Sequence, residues 1–304
     1  MTVALPQALG IDLRGRSLTR VRDWTAAELE TVLDLADELK VKQRLREPHR
    51  LLEGRTVGLL FRKHSTRTRV SLEVAAAHLG ATALYLPDDQ LQLARGEPVE
   101  DTARVLSRYL DAIAIRTFAH AELEAFAAAA TIPVVNALTD EAHPLQALAD
   151  LQTMRERFGS IEGLRVAWIG DGNNVCLSLA SACALLGAEL VCAAPPGYEP
   201  PDASIPVVRD PREAVAGAHV VATDVWTSMG QDAERAVRLR AFTGYTVDAA
   251  LVAIAEPDAI VLHCLPAHPG EEIAADVLYG PRSAVWDEAE NRLHTAKALL
   301  ALTV

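Results

Sequence analysis

The chain has 304 residues, of which 50% are hydrophobic and 23% charged, and its formal net charge is −12. This length predicts two domains of roughly 150 residues each. The negative charge argues against nucleic acid or an anionic membrane as a partner, because a binding face for either would lie in an unfavourable overall field. The sequence has no C-x-x-C pair, no apolar run near the ~18 residues of a membrane span and no signal-peptide pattern, so we expect a cytoplasmic protein.

Short apolar runs alternate with amphipathic segments along the first half of the chain, which predicts an α/β fold. Thr25 and Glu28 have the spacing of a capping box, so a helix is expected from there to about Arg44. Strands are predicted at "TVGLLF", "ATALYL", "DAIAIR" and "IPVVN". Helices are expected to begin near Ser65, Asp101 and Ala119.

A connecting helix is predicted next, with Pro144 in its first turn and Gly159 just past its end. A second set of strands is expected at "RVAWIG", "ELVCAA", "HVVAT", "AIVLHC" and "AVWD", and the Pro-rich "APPGYEPPDASIP" is expected to be a loop. The resulting prediction is two domains, each with a central parallel sheet flanked by helices, joined by interdomain helices. The expected limits are residues 1–145, completed by a C-terminal helix over 288–304, and residues 146–287.

The stretch "LLFRKHSTRTR" places a basic, hydroxyl-rich turn where a strand becomes a helix. Such a turn offers free N–H groups and the positive end of the helix dipole to an anion. A solvated basic first turn is the simpler interpretation. However, cationic side chains at a helix N-terminus oppose the dipole, so the pattern favours an anion site.

Four further motifs follow the predicted strands of the second half or begin the connecting helix. "WIGDGNN" has Gly170 and Gly172 of a dinucleotide fingerprint but lacks its third glycine and ribose-binding acid, so the turn is expected to present Asn173 or Asn174 instead. "DVWTSMGQ" offers an acid suited to an ammonium group, and "HCLPAHPGEE" offers a thiol at a strand end rather than a standard zinc pattern. In "HPLQ", a ligand role is expected for His143 and Gln146.

Taken together, "STRTR", "HPLQ", "DVWTSMG", "HCLP" and the final "WDEAENRLHTAKALL" resemble the ornithine carbamoyltransferases from about Asp23 to the C-terminus. The resemblance implies transfer of a carbamoyl group from carbamoyl phosphate to the side-chain amine of L-ornithine, without metal or organic cofactor. It also implies a homotrimer with active sites shared between subunits. The rival interpretations are a carbamoyltransferase for putrescine or an acylated ornithine, and a non-catalytic anion-binding relative.

The resemblance also implies roles for individual residues. Catalytic roles fall on Arg116, His143 and Cys264. Carbamoyl phosphate is expected to contact Ser65, Thr66, Arg67, Thr68, Gln92, Arg116, His143, Gln146, Cys264, Leu265 and Arg292, with Gln92 reaching the site of a neighbouring subunit. Ornithine is expected to contact Asn174, Asp224, Ser228 and Met229. Leu177 replaces a residue that is commonly polar in this family, and His64 stands where proline is frequent.

Overall fold

The computed structural model describes residues 11–227 and 232–304. The chain divides into two compact units: one comprises the residues up to Gln152 together with Glu290–Val304, and the other comprises Thr153–Ala289. The division falls within two helices, α5 (Pro144–Phe158) and α11 (Val285–Thr303). No helix of the described ranges is long and apolar enough to cross a membrane.

The first unit contains a four-stranded parallel sheet of order β2-β1-β3-β4. Its strands are β1 (Thr56–Phe61), β2 (Thr82–Pro87), β3 (Ala112–Arg116) and β4 (Val134–Leu138). The helices are α1 (Ala26–Arg44), α2 (Arg67–His78), α3 (Val99–Leu106) and α4 (His120–Ala129), with 3-10 helices at Val21–Asp23, Asp88–Gln90 and Gln92–Arg95. Each predicted strand of this half is therefore confirmed.

Local sequence signals set the ends of the helices in this half. The Thr25 side chain accepts the Glu28 N–H at 3.2 Å, and the Glu28 carboxylate accepts the Thr25 N–H at 2.7 Å, so the predicted capping box is confirmed. Helix α5 begins at Pro144, as predicted. Gly159 follows its last residue with φ of +79°, a conformation that glycine adopts without a Cβ clash.

The second unit contains a five-stranded parallel sheet of order β7-β6-β5-β8-β9. Its strands are β5 (Arg165–Ile169), β6 (Glu189–Ala193), β7 (Val207–Val208), β8 (Val220–Thr223) and β9 (Ile260–His263). The helices are α6 (Asn174–Leu185), α7 (Pro211–Val215), α8 (Arg235–Ala241), α9 (Ala249–Val252) and α10 (Ala275–Leu278), with a 3-10 helix at Asp232–Glu234. The predicted fold class of two parallel sheets flanked by helices is confirmed.

One predicted strand is wrong. "AVWD" begins helix α11 at Val285, and the adjoining Ser283 forms only an isolated bridge to Val261. Asp287 and Glu288 lie in the first turn of this helix, where acidic side chains are favourable. The fifth strand of the sheet is instead the short β7, which pairs with β6 directly after the Pro-rich loop.

Both sheets have strands that are buried on two faces. All five residues of β3 and all four residues of β8 and of β9 are buried. Such continuous apolar runs are typical of parallel strands covered by helices on both sides. In each sheet, the chain order reverses beside the first strand of that unit, so β1 and β3 in one sheet, and β5 and β8 in the other, flank the place where ligands bind in open α/β sheets.

Candidate active site

The hydroxyl-rich turn follows β1 and leads into α2, as the sequence predicts. Helix α2 begins at Arg67, and its N-cap residue Thr66 forms no side-chain capping hydrogen bond. Thr66 is exposed, Ser65 and Arg67 are half-buried, and Thr68 is buried. The turn therefore leaves the Thr66 hydroxyl available to a ligand at the start of the helix, where N–H groups lack intrahelical partners.

Several cationic side chains of this turn are already engaged within the chain. Arg69 lies 2.8 Å from the carboxylate of Glu73 and 3.6 Å above the ring of Tyr85. Lys63 lies 4.0 Å from the ring centre of Phe118, and burial together with the charge of Arg116 lowers its pKa. Arg69 and Lys63 therefore oppose the helix dipole less than the sequence alone indicates.

A buried hydrogen-bond network ties the first turn of α2 to α5 and α11. The Arg292 guanidinium donates to the Thr68 hydroxyl at 2.9 Å and to the Gln146 side-chain oxygen at 2.6 Å. Gln146 in turn donates to the Asp150 carboxylate at 2.9 Å. The structure thus brings together three predicted ligands that are more than 70 positions apart from one another in the sequence, and Asp150 supports them without having been predicted.

His143 lies one residue before α5 and is buried. Burial lowers the pKa of its imidazole well below the usual range, and the positive charges of Arg292, Arg116 and Arg67 lower it further. His143 is therefore neutral at physiological pH, a form that donates a hydrogen bond without adding charge. Arg116, the last residue of β3, is buried in the same unit, and its carbonyl accepts the Arg62 N–H at 2.8 Å.

Gln92 begins the 3-10 helix Gln92–Arg95 and is exposed. Its neighbours Leu91 and Leu93 pack against the apolar core of the first unit. The segment thus points two apolar side chains inward and presents Gln92 between them to the solvent.

In the second unit, the predicted residues follow β5, β8 and β9, which are neighbours in the sheet. Asp224, directly after β8, is buried and accepts hydrogen bonds from three neutral donors. These are the Cys264 thiol at 3.0 Å, the Asn173 amide at 2.8 Å and the Val225 N–H at 2.8 Å. The carboxylate and the thiol are thus placed together by the ends of adjacent strands.

The two asparagines after β5 have different roles in the local structure. Asn173 caps α6 by accepting the N–H groups of Val175 and Cys176, and its amide holds Asp224. Asn174, the predicted ornithine ligand, is the first residue of the helix and is half-buried. The sequence resemblance therefore pointed to Asn174 but missed the positioning contact of Asn173.

Gly172 has a packing reason for being glycine. A Cβ at this position would lie 2.1 Å from the Pro200 nitrogen, and the Gly172 N–H donates to the Tyr198 carbonyl at 2.9 Å. The Pro-rich loop thus closes against the turn where a dinucleotide pyrophosphate would need backbone access. This contact agrees with the interpretation that the glycines here do not form a nucleotide fingerprint.

His263, the last residue of β9, organises the backbone around Cys264 and Leu265. Its Nδ1 accepts the Leu265 N–H at 2.9 Å, so Nε2 carries the proton and donates to the buried Glu272 carboxylate at 3.2 Å. Leu265 adopts a φ of +58°, which is uncommon outside glycine. This contribution of His263 and Glu272 was not predicted, although both lie in the motif "HCLPAHPGEE".

Among the described residues of this unit, two groups of potential metal ligands are found. The donor atoms of Asp224, His263 and Cys264 lie within 4.8 Å of one another, as do those of His268, Glu271 and Glu272. The sequence spacing did not predict this clustering, because it arises from adjacent strand ends and a tight loop. The predicted ornithine ligands Ser228 and Met229 lie outside the described residues.

Comparison with known proteins identifies the class to which these two sites belong. Residues 16–156 match the model of the aspartate/ornithine carbamoyltransferase carbamoyl-P binding domain, and residues 162–303 match the model of the Asp/Orn binding domain. The chain therefore belongs to the aspartate/ornithine carbamoyltransferase family.

Among its relatives, the anabolic ornithine carbamoyltransferase of Pyrococcus furiosus is 50% identical over 97% of this chain and 98% of that protein. The ornithine carbamoyltransferase of Methanoculleus marisnigri is 52% identical over 90% of this chain and 92% of that protein. A solved structure of the Pyrococcus furiosus enzyme superimposes with a TM-score of 0.93, at 50% identity and with 96% of this chain and 98% of that chain covered. The structure of the Thermus thermophilus enzyme gives a TM-score of 0.87 at 46% identity, covering 98% and 99%. The resemblance drawn from the sequence motifs is confirmed.

Proposed function

We propose that this protein transfers the carbamoyl group of carbamoyl phosphate to the side-chain amine of L-ornithine, giving L-citrulline and phosphate. The relatives named as ornithine carbamoyltransferases support this function. The observation that carries it is the contrast between the two strand-end sites. One is built from arginines around a neutral histidine, and the other is built on a buried carboxylate bonded to a thiol.

The first site suits the anionic substrate. In this proposal Ser65, Thr66, Arg67, Thr68, Gln92, Arg116 and Arg292 hold carbamoyl phosphate, while His143 and Gln146 contact its carbamoyl group. Thr66, Arg116 and neutral His143 stabilise the oxyanion of the tetrahedral intermediate, a role worth ~3 kcal/mol for each donor. Residues 1–145, completed by 288–304, form the carbamoyl phosphate domain.

The second site suits the cationic substrate, and residues 146–287 form the ornithine domain. Asp224 attracts the ammonium groups of ornithine, and Asn174, Ser228 and Met229 complete the contacts. An alkylammonium has a pKa of about 10, so the attacking amine must lose a proton. Cys264 and the Leu265 backbone orient the reacting centre, and the departing phosphate accepts that proton. This chemistry requires neither a metal nor an organic cofactor.

A homotrimer with shared active sites completes the proposal. Gln92 is exposed on a segment that its leucines hold in place, which suits a contact with the active site of a neighbouring subunit. The anabolic relative from Pyrococcus furiosus supports a role in arginine biosynthesis, and we place the enzyme in the cytoplasm.

The reaction is tested by measuring carbamoylated product with ornithine, putrescine and acetylornithine in turn. We expect citrulline from ornithine and much lower turnover of the other two amines. An enzyme that prefers putrescine or acetylornithine would contradict the ornithine assignment. An intact fold with no turnover of any amine would favour the anion-binding alternative.

The shared site is tested with two inactive variants, Arg67→Ala and Gln92→Ala, refolded together in equal amounts. Random assembly makes about three quarters of the trimers mixed, and each mixed trimer has one site in three with both native residues. About a quarter of wild-type activity should therefore return. Confirmed mixed trimers without recovery would contradict the sharing of Gln92.

A further inference from the structure

Arg62 begins the turn between β1 and α2, and its side chain pairs with the segment that carries Gln92. It is the first residue after β1, and its N–H donates to the carbonyl of Arg116 at 2.8 Å. Its backbone is therefore fixed at the carboxyl ends of β1 and β3. Its side chain extends from there and pairs with two acidic residues on different elements.

The first acidic partner is Asp88, at the start of the Gln92 segment. Arg62 Nε and Asp88 Oδ1 are 3.0 Å apart without the alignment of a hydrogen bond, so the contact is an electrostatic ion pair. Both side chains are 28% exposed, which protects the pair from full screening by solvent. Asp88 begins the 3-10 helix Asp88–Gln90, whose end is capped by the Leu91 N–H.

The second acidic partner is Glu122 in the first turn of α4, which pairs with the other side of the guanidinium. The remaining oxygen of Glu122 accepts the Thr117 hydroxyl at 2.5 Å. Thr117 directly follows Arg116. Arg62 is therefore connected to two consecutive residues, Arg116 and Thr117. Its backbone N–H contacts Arg116, and its side chain reaches Thr117 through Glu122.

The far end of the Gln92 segment is anchored separately. The Thr102 hydroxyl donates to the Glu97 carboxylate at 2.6 Å, and the Glu97 N–H donates to the Gln92 carbonyl at 3.2 Å. With Leu91 and Leu93 packed inward, the position of Gln92 depends on the Arg62–Asp88 pair at one end and on Glu97 at the other. The Arg62–Asp88 pair joins this segment to the start of the turn between β1 and α2, because Arg62 is the first residue of that turn.

We infer that Arg62 is a positioning residue that couples the phosphate-binding turn of its own subunit to the Gln92 segment that serves the next subunit. This inference rests on the proposed sharing of Gln92. The backbone of Arg62 is fixed to Arg116, and the Arg62–Asp88 pair links that position to the segment that completes the neighbouring site. Loss of the pair loosens Gln92 and weakens carbamoyl phosphate binding in the neighbouring subunit.

The first test is kinetic and uses the homotrimer. Asp88→Asn removes the charge of the pair and keeps the shape of the side chain. We expect the KM for carbamoyl phosphate to rise about fivefold, equivalent to ~1 kcal/mol, with little change in kcat or in the KM for ornithine. The matched control is Asp101→Asn, which breaks the more exposed ion pair with Arg104 on α3 and should leave all three constants unchanged. An unchanged KM for carbamoyl phosphate in Asp88→Asn would overturn the inference.

The second test locates the defect in the neighbouring subunit. Differently tagged chains allow purification of trimers with two Arg67→Ala chains and one Asp88→Asn chain. The single competent site then has Arg67 from the Asp88→Asn chain and a native Gln92 segment from an Arg67→Ala chain. We expect this site to have the KM for carbamoyl phosphate of a reference trimer, made from two Arg67→Ala chains and one wild-type chain.

The outcomes separate this inference from the proposed function. Trimers with two Arg67→Ala chains and one Gln92→Ala chain test the shared site alone, and their inactivity would overturn both proposals. If these trimers are active but the Asp88→Asn hybrid keeps the raised KM, the pair acts within its own site. That result would overturn the coupling and leave the shared active site standing.

Discussion

The strand-end sites of the two units use the same architecture with opposite electrostatics. In the first unit, burial lowers the pKa of His143 well below its usual range, and the charges of Arg292 on α11, Arg116 at the end of β3 and Arg67 at the start of α2 lower it further. In the second unit, Asn173 after β5, Val225 after β8 and Cys264 after β9 donate hydrogen bonds to the buried carboxylate of Asp224, and these three donors are neutral. A parallel sheet thus supplies a place for a ligand, while the side chains at the strand ends decide the charge that it accepts.

The largest effect that would sharpen this comparison is expected from Arg67→Lys. A lysine keeps the charge but loses the planar pair of donors that matches phosphate oxygens. We expect kcat/KM to fall by about 100- to 1000-fold with the fold intact. The matched control is Arg69→Lys, two positions further along the same helix, whose guanidinium already contacts Glu73 and Tyr85. Equal kinetics for wild type and Arg67→Lys would show that the first site does not recognise phosphate through Arg67.

A smaller but more selective effect is expected from Asp224→Asn. This change removes the negative charge of the second site and leaves the arginine site untouched. The KM for ornithine should rise by about 10- to 100-fold, while binding of carbamoyl phosphate measured by calorimetry should stay near the wild-type value.

Asp171→Asn provides the control for this variant. Asp171 lies just after β5 of the same sheet, and its carboxylate pairs with Arg238 at 2.8 Å. Removal of its charge should therefore lower the stability of the protein without a selective change in ornithine binding. If Asp224→Asn weakens both substrates equally, Asp224 supports the structure of the unit instead of recognising a cation.

The smallest effect concerns the protonation of His143. Because Arg292 is the strongest of the charges that lower its pKa, Arg292→Gln should raise that pKa toward the ordinary value near 6.5. Histidine NMR titration measures this shift directly. Arg69→Gln should leave the titration unchanged, and an unchanged pKa in Arg292→Gln would show that the charge of Arg292 does not help to keep the imidazole neutral.

The same group gives a pH dependence of stability with a defined sign. The folded-state pKa of His143 lies below its unfolded-state value, so the unfolded chain binds more protons at acidic pH. The stability that neutral His143 contributes is fully present above pH of about 6.5 and is lost as the pH falls toward the folded-state pKa.

Much of the fold could be predicted because its signals are local. The capping box of Thr25 and Glu28, the helix start at Pro144 and the helix end at Gly159 depend on residues within a few positions. The prediction of a strand at "AVWD" is wrong because an apolar run of that length also suits the start of a buried helix. Asp287 and Glu288 favour a helix, because acidic side chains suit its first turn. The end of the preceding extended segment is set by a contact distant in the sequence, the bridge between Ser283 and Val261.

The sequence by itself determined which residue types follow each strand, and hence the family and the list of candidate ligands. Only the tertiary structure decided which of those residues meet. Arg292 reaches Thr68 across 224 positions, and Asn173 reaches Asp224 across 51. The partners of Arg62, Asp88 and Glu122, also come from other elements of the fold. Such contacts follow from the order of strands in a sheet and from the packing of helices on it, neither of which a local pattern of residues encodes.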